Sequence, residues 1–538
     1  DLDDQLVTLL PDRPLKLERS KIVGKPDEKR PFVLHGGNLY QHRFYTAEHN
    51  LIKWIYERSK STAGKRLDES SKILTDLFKE SELNPDWQKV AVAMSALKSF
   101  LIVSGGPGTG KTTTVARILA LQIRTADEPL RIALAAPTGK AAGRMAEALS
   151  DEMQKLDLTE KERTSYPKEA QTIHRMLRGV ESRGLMPPVR EKKLPFDLII
   201  IDEASMIDLT LMHRLVKHIG PDTSLILLGD KNQLASVEAG SVFADLCGKQ
   251  TNAFNKDTIS SLRSCGIALD AEIHQKELSP ADDSIVYLTK SYRFHSESGI
   301  GALAEAVNRG IENVAELEGL INSYGDIAAE PFGYRSDDFK SLMKHVGNRL
   351  SNAFMLEDTE EMLEFWKKEI WLTVLRRGLA GSERLNQLTE QTLALRRAVK
   401  MNNGWYHGRP IIVTQNDYDT GVFNGDFGVC AKSKTSDDVS LLVYIQSGTE
   451  IKRVRPERLR HVKPAYFLTV HKSQGSEFGA VKLLMPKDRV PVLTRELLYT
   501  AVTRSRDTFE LYGSKSLFVT GSQNRTERFS GFRSFRGD

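Results

Sequence analysis

The stretch SGGPGTGKTTT, residues 104–114, sits between the apolar run SFLIV at 99 and a segment of helical periodicity. Gly105, Gly106, Pro107, Gly108, Thr109, Gly110, Lys111 and Thr112 fit G-x-x-x-x-G-K-[ST]. The glycines let backbone N–H groups wrap phosphate oxygens, and the start of the following helix adds partial positive charge. Lys111 is placed to reach the β and γ phosphates, Thr112 to offer its hydroxyl to Mg²⁺, and Thr113 to continue the same turn. An apolar strand before the pattern and a helix after it make this a nucleoside triphosphate site.

Working outward, short apolar runs alternate with helical patterns: RIALAA at 131, DLIIID at 197, SLILLGD at 224 and SIVYLT at 284. Such alternation predicts a parallel sheet covered by helices on both faces. Each run ends in a polar loop, which is where open parallel sheets hold ligands. LIIIDEAS puts Asp202 in place to hold Mg²⁺ through water, and Glu203 to orient or deprotonate the attacking water. One loop further, GDKNQLASVEAG carries Gln233, a neutral group able to sense a γ phosphate. LTKSYRF carries Arg293 and LLYTAVTRSRD carries Arg504, each suited to charge on a transferring phosphoryl group. Two such arginines in different domains imply a cleft closed around ATP.

The fold class expected is α/β, with two parallel-sheet domains. Residues 1–80 carry no catalytic signature; RPFVLHGGNLYQHRFY reads as a hairpin around Gly36, Gly37 and Asn38, and 46–58 as helix. We expect a small docking domain there, a first ATPase domain over 81–330, and a second domain over 331–538. A polar passage at 318–340 reads as a linker. Residues 341–400 read as helical, with Trp366, Trp371 and Leu375 on one face. RPIIVT, AYFLTV, VKLLMP and FELYG then read as strands of the second α/β domain. Between the first two of these, 418–461 reads as a small antiparallel barrel inserted in that domain. The tail NRTERFSGFRSFRGD reads as a solvated, disordered end.

Composition excludes some classes. The 538 residues are too many for one core, and 76 Lys and Arg against 71 Asp and Glu leave a formal charge of +5, too near balance to name a polyanionic partner. Cys247, Cys265 and Cys430 are far apart and odd in number, which indicates neither a disulfide framework nor a paired-Cys zinc site. No apolar run approaches the roughly 20 residues needed to cross a bilayer. These features lead us to expect a cytoplasmic protein.

GGPGTGKT, AAPTGKAA, IIDEAS, GDKNQLASVEAG, LTKSYRF, LTVHKSQGSEF and LYTAVTRS, in this order, resemble the motif series of superfamily 1 helicases. Over residues 84–513 the likeness is to the RecD type, the motor subunit of bacterial RecBCD (exodeoxyribonuclease V) complexes. PFVLHGGNLY is RecD-like as well. The resemblance implies two RecA-like motor domains and Gln88 for adenine recognition. It implies Asp202 and Glu203 as the acidic pair, and Gln233, Arg293 and Arg504 on the γ phosphate. Gly475 and Glu477 would approach the nucleotide from the second domain. Pro137, Thr138, Lys140, Thr469 and His471 would face single-stranded DNA; by residue chemistry alone these loops read equally well as solvated turns. Tyr292, Phe294 and Trp405 read as core residues, and His174 as a structural hydrogen-bonder.

The implied activity is an ATP- and Mg²⁺-dependent 5′–3′ DNA helicase, acting with RecB-like and RecC-like subunits in repair of double-strand breaks by homologous recombination. The short N-terminal segment and LASVEAGSVFADLC favour a subunit over a stand-alone RecD-like helicase. A P-loop ATPase that remodels protein would not need TVHKSQGSEF and LYTAVTRS. A subunit with a dead ATP site would have lost Lys111, Glu203 or an arginine.

Overall fold

Runs of four to six residues that are apolar on both faces pair only where both faces are covered, and this places the first sheet. The computed structural model describes residues 17, 20–61, 67–79, 83, 85–181, 192–236, 238, 240–248, 251–269, 278–294, 298–395, 403–417, 419–433, 440–447, 450–526 and 530–532. The N-terminal DLDDQLVTLL, Tyr418 and parts of the tail lie outside the described residues. Val23–Gly24 (β1), Phe32–His35 (β2) and Asn38–Gln41 (β3) form a small sheet. Gly36 and Gly37, at φ 56° and 80°, supply the two positive angles that a tight two-residue hairpin requires.

Six parallel strands follow: Phe100–Gly105 (β4), Ile132–Ala136 (β5), Ala170–Thr172 (β6), Leu198–Ile201 (β7), Ser224–Gly229 (β8) and Ile285–Leu288 (β9), in the order β6-β5-β7-β8-β4-β9. Five of them are the five predicted runs. The helices Trp87–Leu97 and Lys111–Arg124 pack on one face, and Leu209–His218 on the other. The helix His42–Lys60 also covers that second face, burying Leu51 and Ile55 beside Phe100 and Leu211. Leu74 and Phe78 join the opposite face. Residues 42–61 and 67–78 are therefore part of the first α/β unit, because their apolar stripes find cover on its sheet, and among the described N-terminal residues only the hairpin stands apart.

Ile327–Glu330 (β10) and Glu369–Thr373 (β11) open a second parallel sheet. Pro410–Val413 (β12), Phe427–Lys432 (β13), Leu441–Ser447 (β14), Glu450–Val454 (β15) and Val462–Pro464 (β16) then form an antiparallel sheet of their own, in the order β15-β14-β13-β12-β16. Phe467–Thr469 (β17), Phe478–Leu484 (β18) and Ser505–Tyr512 (β19) complete the second parallel sheet, order β10-β19-β18-β11-β17.

Four expectations are corrected. The passage 318–340 is no linker: β10 pairs in parallel with β19, and the helices Gly299–Arg309 and Val314–Ser323 bury Ile300, Leu303, Val307 and Leu317 in the second core. The boundary expected at 330/331 therefore falls inside the second unit's packing. Trp371 lies on β11, not on a helix with Trp366; the helix Thr359–Lys368 runs straight into that strand. PIIV belongs to the antiparallel sheet, which starts at Pro410 rather than 418, and its end strands β15 and β16 are unpaired with each other among the described residues. The tail returns to the first unit: Phe532 is buried in the cluster of Leu51 and Ile55, and Gly531 N donates to Glu48 Oε1 at 2.8 Å.

Candidate nucleotide site between the two parallel sheets

A cavity of about 420 Å³ opens where the strand ends of the two parallel sheets meet. From the first unit it receives Pro107, Gly108, Gly110, Lys111, Thr112 and Thr113 after β4, Asp202 and Glu203 after β7, Gln233 after β8, and Tyr292 and Arg293 after β9. From the second it receives Gly475 and Glu477 before β18 and Arg504 before β19. Every residue expected at catalysis thus lines one space.

The loop's shape follows from its glycines. Gly110, at φ 77°, caps the helix Lys111–Arg124, and a Cβ there would lie 2.2 Å from Gln88 Nε2. Gly108, at φ 74°, leaves room for Arg293, whose Cβ a side chain would meet at 2.3 Å. Gly105, Gly106, Thr109 and Gln88 lie outside the lining and form its support. Thr109 Oγ1 donates to Gly106 O at 2.8 Å, and Gln88 Nε2 donates to Thr109 O at 3.1 Å. Gln88 Oε1 accepts from Arg117 Nη1 at 3.1 Å, so both ends of the carboxamide are held by protein. Lys111 Nζ donates to Gly105 O and Gly106 O at 2.7 and 3.0 Å.

Burial, reinforced by the neighbouring Glu203, pushes the Asp202 carboxyl up to about 6, against the pull of Lys111. Glu203 takes a left-handed conformation, φ 52° and ψ 38°, and its N–H donates to Asp202 Oδ1 at 2.8 Å. For a non-glycine residue that backbone costs roughly 1–3 kcal/mol, a strain that clusters at functional sites.

A polar chain crosses from one sheet to the other. Asp230 Oδ2 accepts from Gln233 Nε2 at 3.1 Å and from Tyr499 Oη at 3.0 Å. Arg504 Nη2 donates to Gln233 Oε1 at 3.0 Å, and its Nη1 to Ser476 O at 3.1 Å. Arg144, from the helix Gly139–Lys155, donates through Nη1 to Gly475 O at 2.7 Å and lies 3.5 Å from Glu477 Oε1. Arg293 Nη2 bonds the same oxygen at 2.8 Å. Burial pushes the Glu477 carboxyl up, but the Arg144, Arg293 and Arg504 guanidiniums outweigh it and hold it at about 2.

A triphosphate with Mg²⁺ fits this donor set. Arg293 Nη1 and Arg504 Nε are buried and make no hydrogen bond among the described residues. Lys111 and three guanidiniums supply the positive charge, the helix start supplies N–H groups, and Asp202 with Thr112 supplies hard oxygen ligands of the kind Mg²⁺ takes.

The chain matches an AAA domain over residues 88–239 and a UvrD-like helicase C-terminal domain over 464–510. It is 34% identical to the RecBCD enzyme subunit RecD of Mycolicibacterium smegmatis, over 96% of this chain and 85% of that protein. It is 38% identical to the same subunit of Mycobacterium tuberculosis, over 83% of this chain and 72% of that one. The chain belongs to the RecD family. It is also 26% identical to the ATP-dependent RecD2 DNA helicase of Deinococcus radiodurans, over 80% of this chain and 49% of that protein. Among solved structures, Bacteroides Pif1 bound to ssDNA aligns over 81% of this chain and 94% of that one, at 15% identity and a TM-score of 0.38.

The five residues expected on DNA do not line the nucleotide cavity of this RecD-family chain. Pro137 and Thr138 lead into the helix Gly139–Lys155, where Thr138 Oγ1 accepts from Ala141 N at 3.2 Å. Lys140 is drawn into the contact between the two units: Nζ donates to Ser476 Oγ at 2.5 Å and Gly425 O at 3.2 Å, and burial, with Arg144 nearby, pulls its pKa down to about 7. Thr469 caps the turn Val470–Ser473, and burial lowers the pKa of His471. Tyr292, expected in the core, is 48% exposed at the cavity rim.

Sequence reasoning missed Arg144, Asp230 and Tyr499. Asp230 and Tyr499 stood inside the quoted motifs, where a carboxylate at a strand end was the available signal. Arg144 had none, since nothing in a helical pattern tells which arginine meets another domain.

Proposed function

We propose that this chain is an ATP-driven 5′–3′ DNA helicase and translocase, the RecD-type subunit of a RecBCD-like helicase-nuclease that acts on duplex ends in double-strand-break repair by homologous recombination. The observation that carries this reading is the single cavity gathering Lys111, Asp202, Glu203, Gln233, Arg293 and Arg504 from two parallel sheets. Support for polarity, partners and repair comes from family membership, and the higher identity to RecBCD subunits than to RecD2 favours a subunit over a free helicase.

Lys111 and the loop amides bind the β and γ phosphates, and Glu203 orients and deprotonates the attacking water. Thr112 and Asp202 would hold Mg²⁺, which neutralises phosphate charge when bound. Proton uptake by Asp202 is opposed once a cation shares its cavity. Arg293 and Arg504 stabilise charge on the γ phosphoryl group as it leaves. Because Lys111 and Arg293 of the first unit and Arg504 of the second line the same cavity, a γ phosphate bridges the units and its loss removes that bridge. Pro137, Thr138, Lys140, Thr469 and His471 then shift together with the units that carry them, which converts the cycle into steps along single-stranded DNA. Among the described residues no helix is long and apolar enough to cross a membrane. The site of action in this reading is the bacterial cytoplasm, where the family's DNA substrate lies. Docking on a large RecC-like partner falls to the first 80 or so residues, of which the hairpin Phe32–Gln41 stands apart from the first unit's core.

ATP hydrolysis with and without single-stranded DNA tests this, comparing the intact chain with Lys111→Gln, alone and with RecB-like and RecC-like subunits. DNA-stimulated turnover that the substitution abolishes is expected, and pull-down of the partners reads the docking. Turnover indifferent to DNA in every assembly would refute the helicase reading.

A further inference from the structure

The helix Gly139–Lys155 of the first unit begins where three parts of the chain meet. The loop 475–477 of the second unit reaches it from the nucleotide cleft, and the turn 423–426, just before β13 of the antiparallel sheet, closes on it as well. Gly139 lets that turn come close, since a Cβ there would lie 2.7 Å from Cγ of Phe423. Lys140 is the next residue, and its ammonium joins the other two parts. Its Nζ donates to Ser476 Oγ at 2.5 Å and to Gly425 O at 3.2 Å.

Each residue of the loop 475–477 takes a cation. Gly475 O accepts from Arg144 Nη1 at 2.7 Å, Glu477 pairs with Arg293 at 2.8 Å, and Ser476 O accepts from Arg504 Nη1 at 3.1 Å. Ser476 thus holds Arg504 by its carbonyl and Lys140 by its hydroxyl. Among the described residues only Ser476 O and Gln233 Oε1 accept from Arg504, so half of what fixes that guanidinium is a loop that Lys140 braces. The turn on the other end is itself held: Phe423 N donates to Asp426 Oδ2 at 2.8 Å, and Gly425 N to Val413 O at 2.9 Å. Burial, then Arg144, disfavours the Lys140 cation, and Asp426, buried in the turn, supports it. Burying an ammonium costs free energy unless its N–H groups find acceptors, and both acceptors that Lys140 finds are protein groups on different parts of the chain.

We propose that Lys140 is a positioning residue for ATP hydrolysis, which fixes Ser476 and through it Arg504, and which ties that arginine to the turn 423–426 of the antiparallel sheet. The inference rests on the ATP-motor reading of the cleft and adds a route by which the antiparallel sheet sets turnover. With Lys140 in place, the turn, the helix Gly139–Lys155 and the loop behind Arg504 hold one arrangement. Displacing the turn takes Gly425 O from Nζ and leaves the Ser476 hydroxyl, and the carbonyl beside it, less constrained. A cation held by two protein acceptors is a poor phosphate contact, so Lys140 acts on the nucleotide cleft and not on the strand.

The test compares the full chain with Lys140→Met, Ser476→Ala, the double variant and Gly139→Ala. Steady-state ATP turnover is read with and without oligo-dT, and oligo-dT binding is read across a salt series. Lys140→Met is expected to lower kcat about 10- to 100-fold, with and without oligo-dT, at an unchanged KM for ATP. Ser476→Ala is expected to lower kcat as well, and the double variant to lose no more than Lys140→Met alone, because the two groups act as one. Gly139→Ala removes no polar group but pushes the Phe423 ring away, and is expected to lower kcat about 3- to 10-fold. The slope of log affinity against log salt should stay that of the wild type throughout. Wild-type kcat in Lys140→Met, with that slope flattened by roughly 1, would overturn the proposal in favour of a DNA phosphate contact. Additive losses in the double variant would overturn the link through Ser476, and wild-type kcat in Gly139→Ala the tie to the turn; each of these leaves the motor reading intact. A wild type without ATP turnover sinks both readings at once.

Discussion

Glu477 and Glu383 are both ringed by cations and both held at about 2, one in the cleft between the parallel sheets and one in the second unit's own cavity. Their partners differ in access to water. Arg293, beside Glu477, is 24% exposed and Arg504 is 4% exposed, whereas Arg376 and Arg377, beside Glu383, are 61% and 82% exposed. Counterions therefore screen the second cluster and reach the first poorly. The same chemical group thus stands in two settings: within the cleft it joins two units, and near solvent it gathers a screened cluster within one.

The comparison breaks most visibly at Arg504. Arg504→Ala should lower ATP turnover by about 10³–10⁵, with a loss of similar size at 50 and 200 mM salt. A loss that salt largely erases would place Arg504 with the screened cluster. Next in size, Glu477→Gln leaves Arg144 and Arg293 without the negative charge they share, and misplacing groups at the phosphate should cost about 10–100-fold in kcat/KM for ATP. That loss too should ignore salt, whereas the small destabilisation expected from Glu383→Gln should shrink between 50 and 200 mM salt; a shared salt response would abolish the distinction. The smallest effect concerns stability. The folded pKa of Asp202, about 6, lies above its unfolded value. Its contribution is therefore fully present below about pH 4 and lost as pH rises through 6. Asp202→Asn should remove that decline and raise the melting temperature at pH 7 by about 2–4 °C while turnover collapses. An unchanged melting curve between pH 4 and 7 would show that the carboxylate carries no such strain.

Five strands of the first sheet were legible because each is a short, almost wholly buried run, four of them stopped by Gly, Asp or Pro; Ala170–Thr172 (β6), three residues long and only half-buried, gave no such signal. β11 was not, because the helix Thr359–Lys368 passes into EIWLT without a breaker, and Trp366 and Trp371 mimic a helical stripe. PIIV resembles a buried parallel strand equally well; only its partners β13 and β16 show otherwise. At the site, groups on loops after strands could be named from their motifs, since topology alone brings strand ends together. Arg144 and the inward turn of Lys140 depend on how two units meet, which no local pattern encodes. The packed tail was missed for a similar reason: Phe529, Phe532 and Phe535 stand among Arg, Gly and Ser, a composition that reads as solvated, and nothing local tells that Phe532 meets the first unit's core.

Phe532 fills a core whose other members were made long before it. From Phe100 to Phe532 the ribosome needs on the order of tens of seconds at about 5–20 residues per second. Throughout that interval the groove beside Leu51 and Ile55 is open on the nascent chain, and the first unit matures only when the last segment arrives to close it.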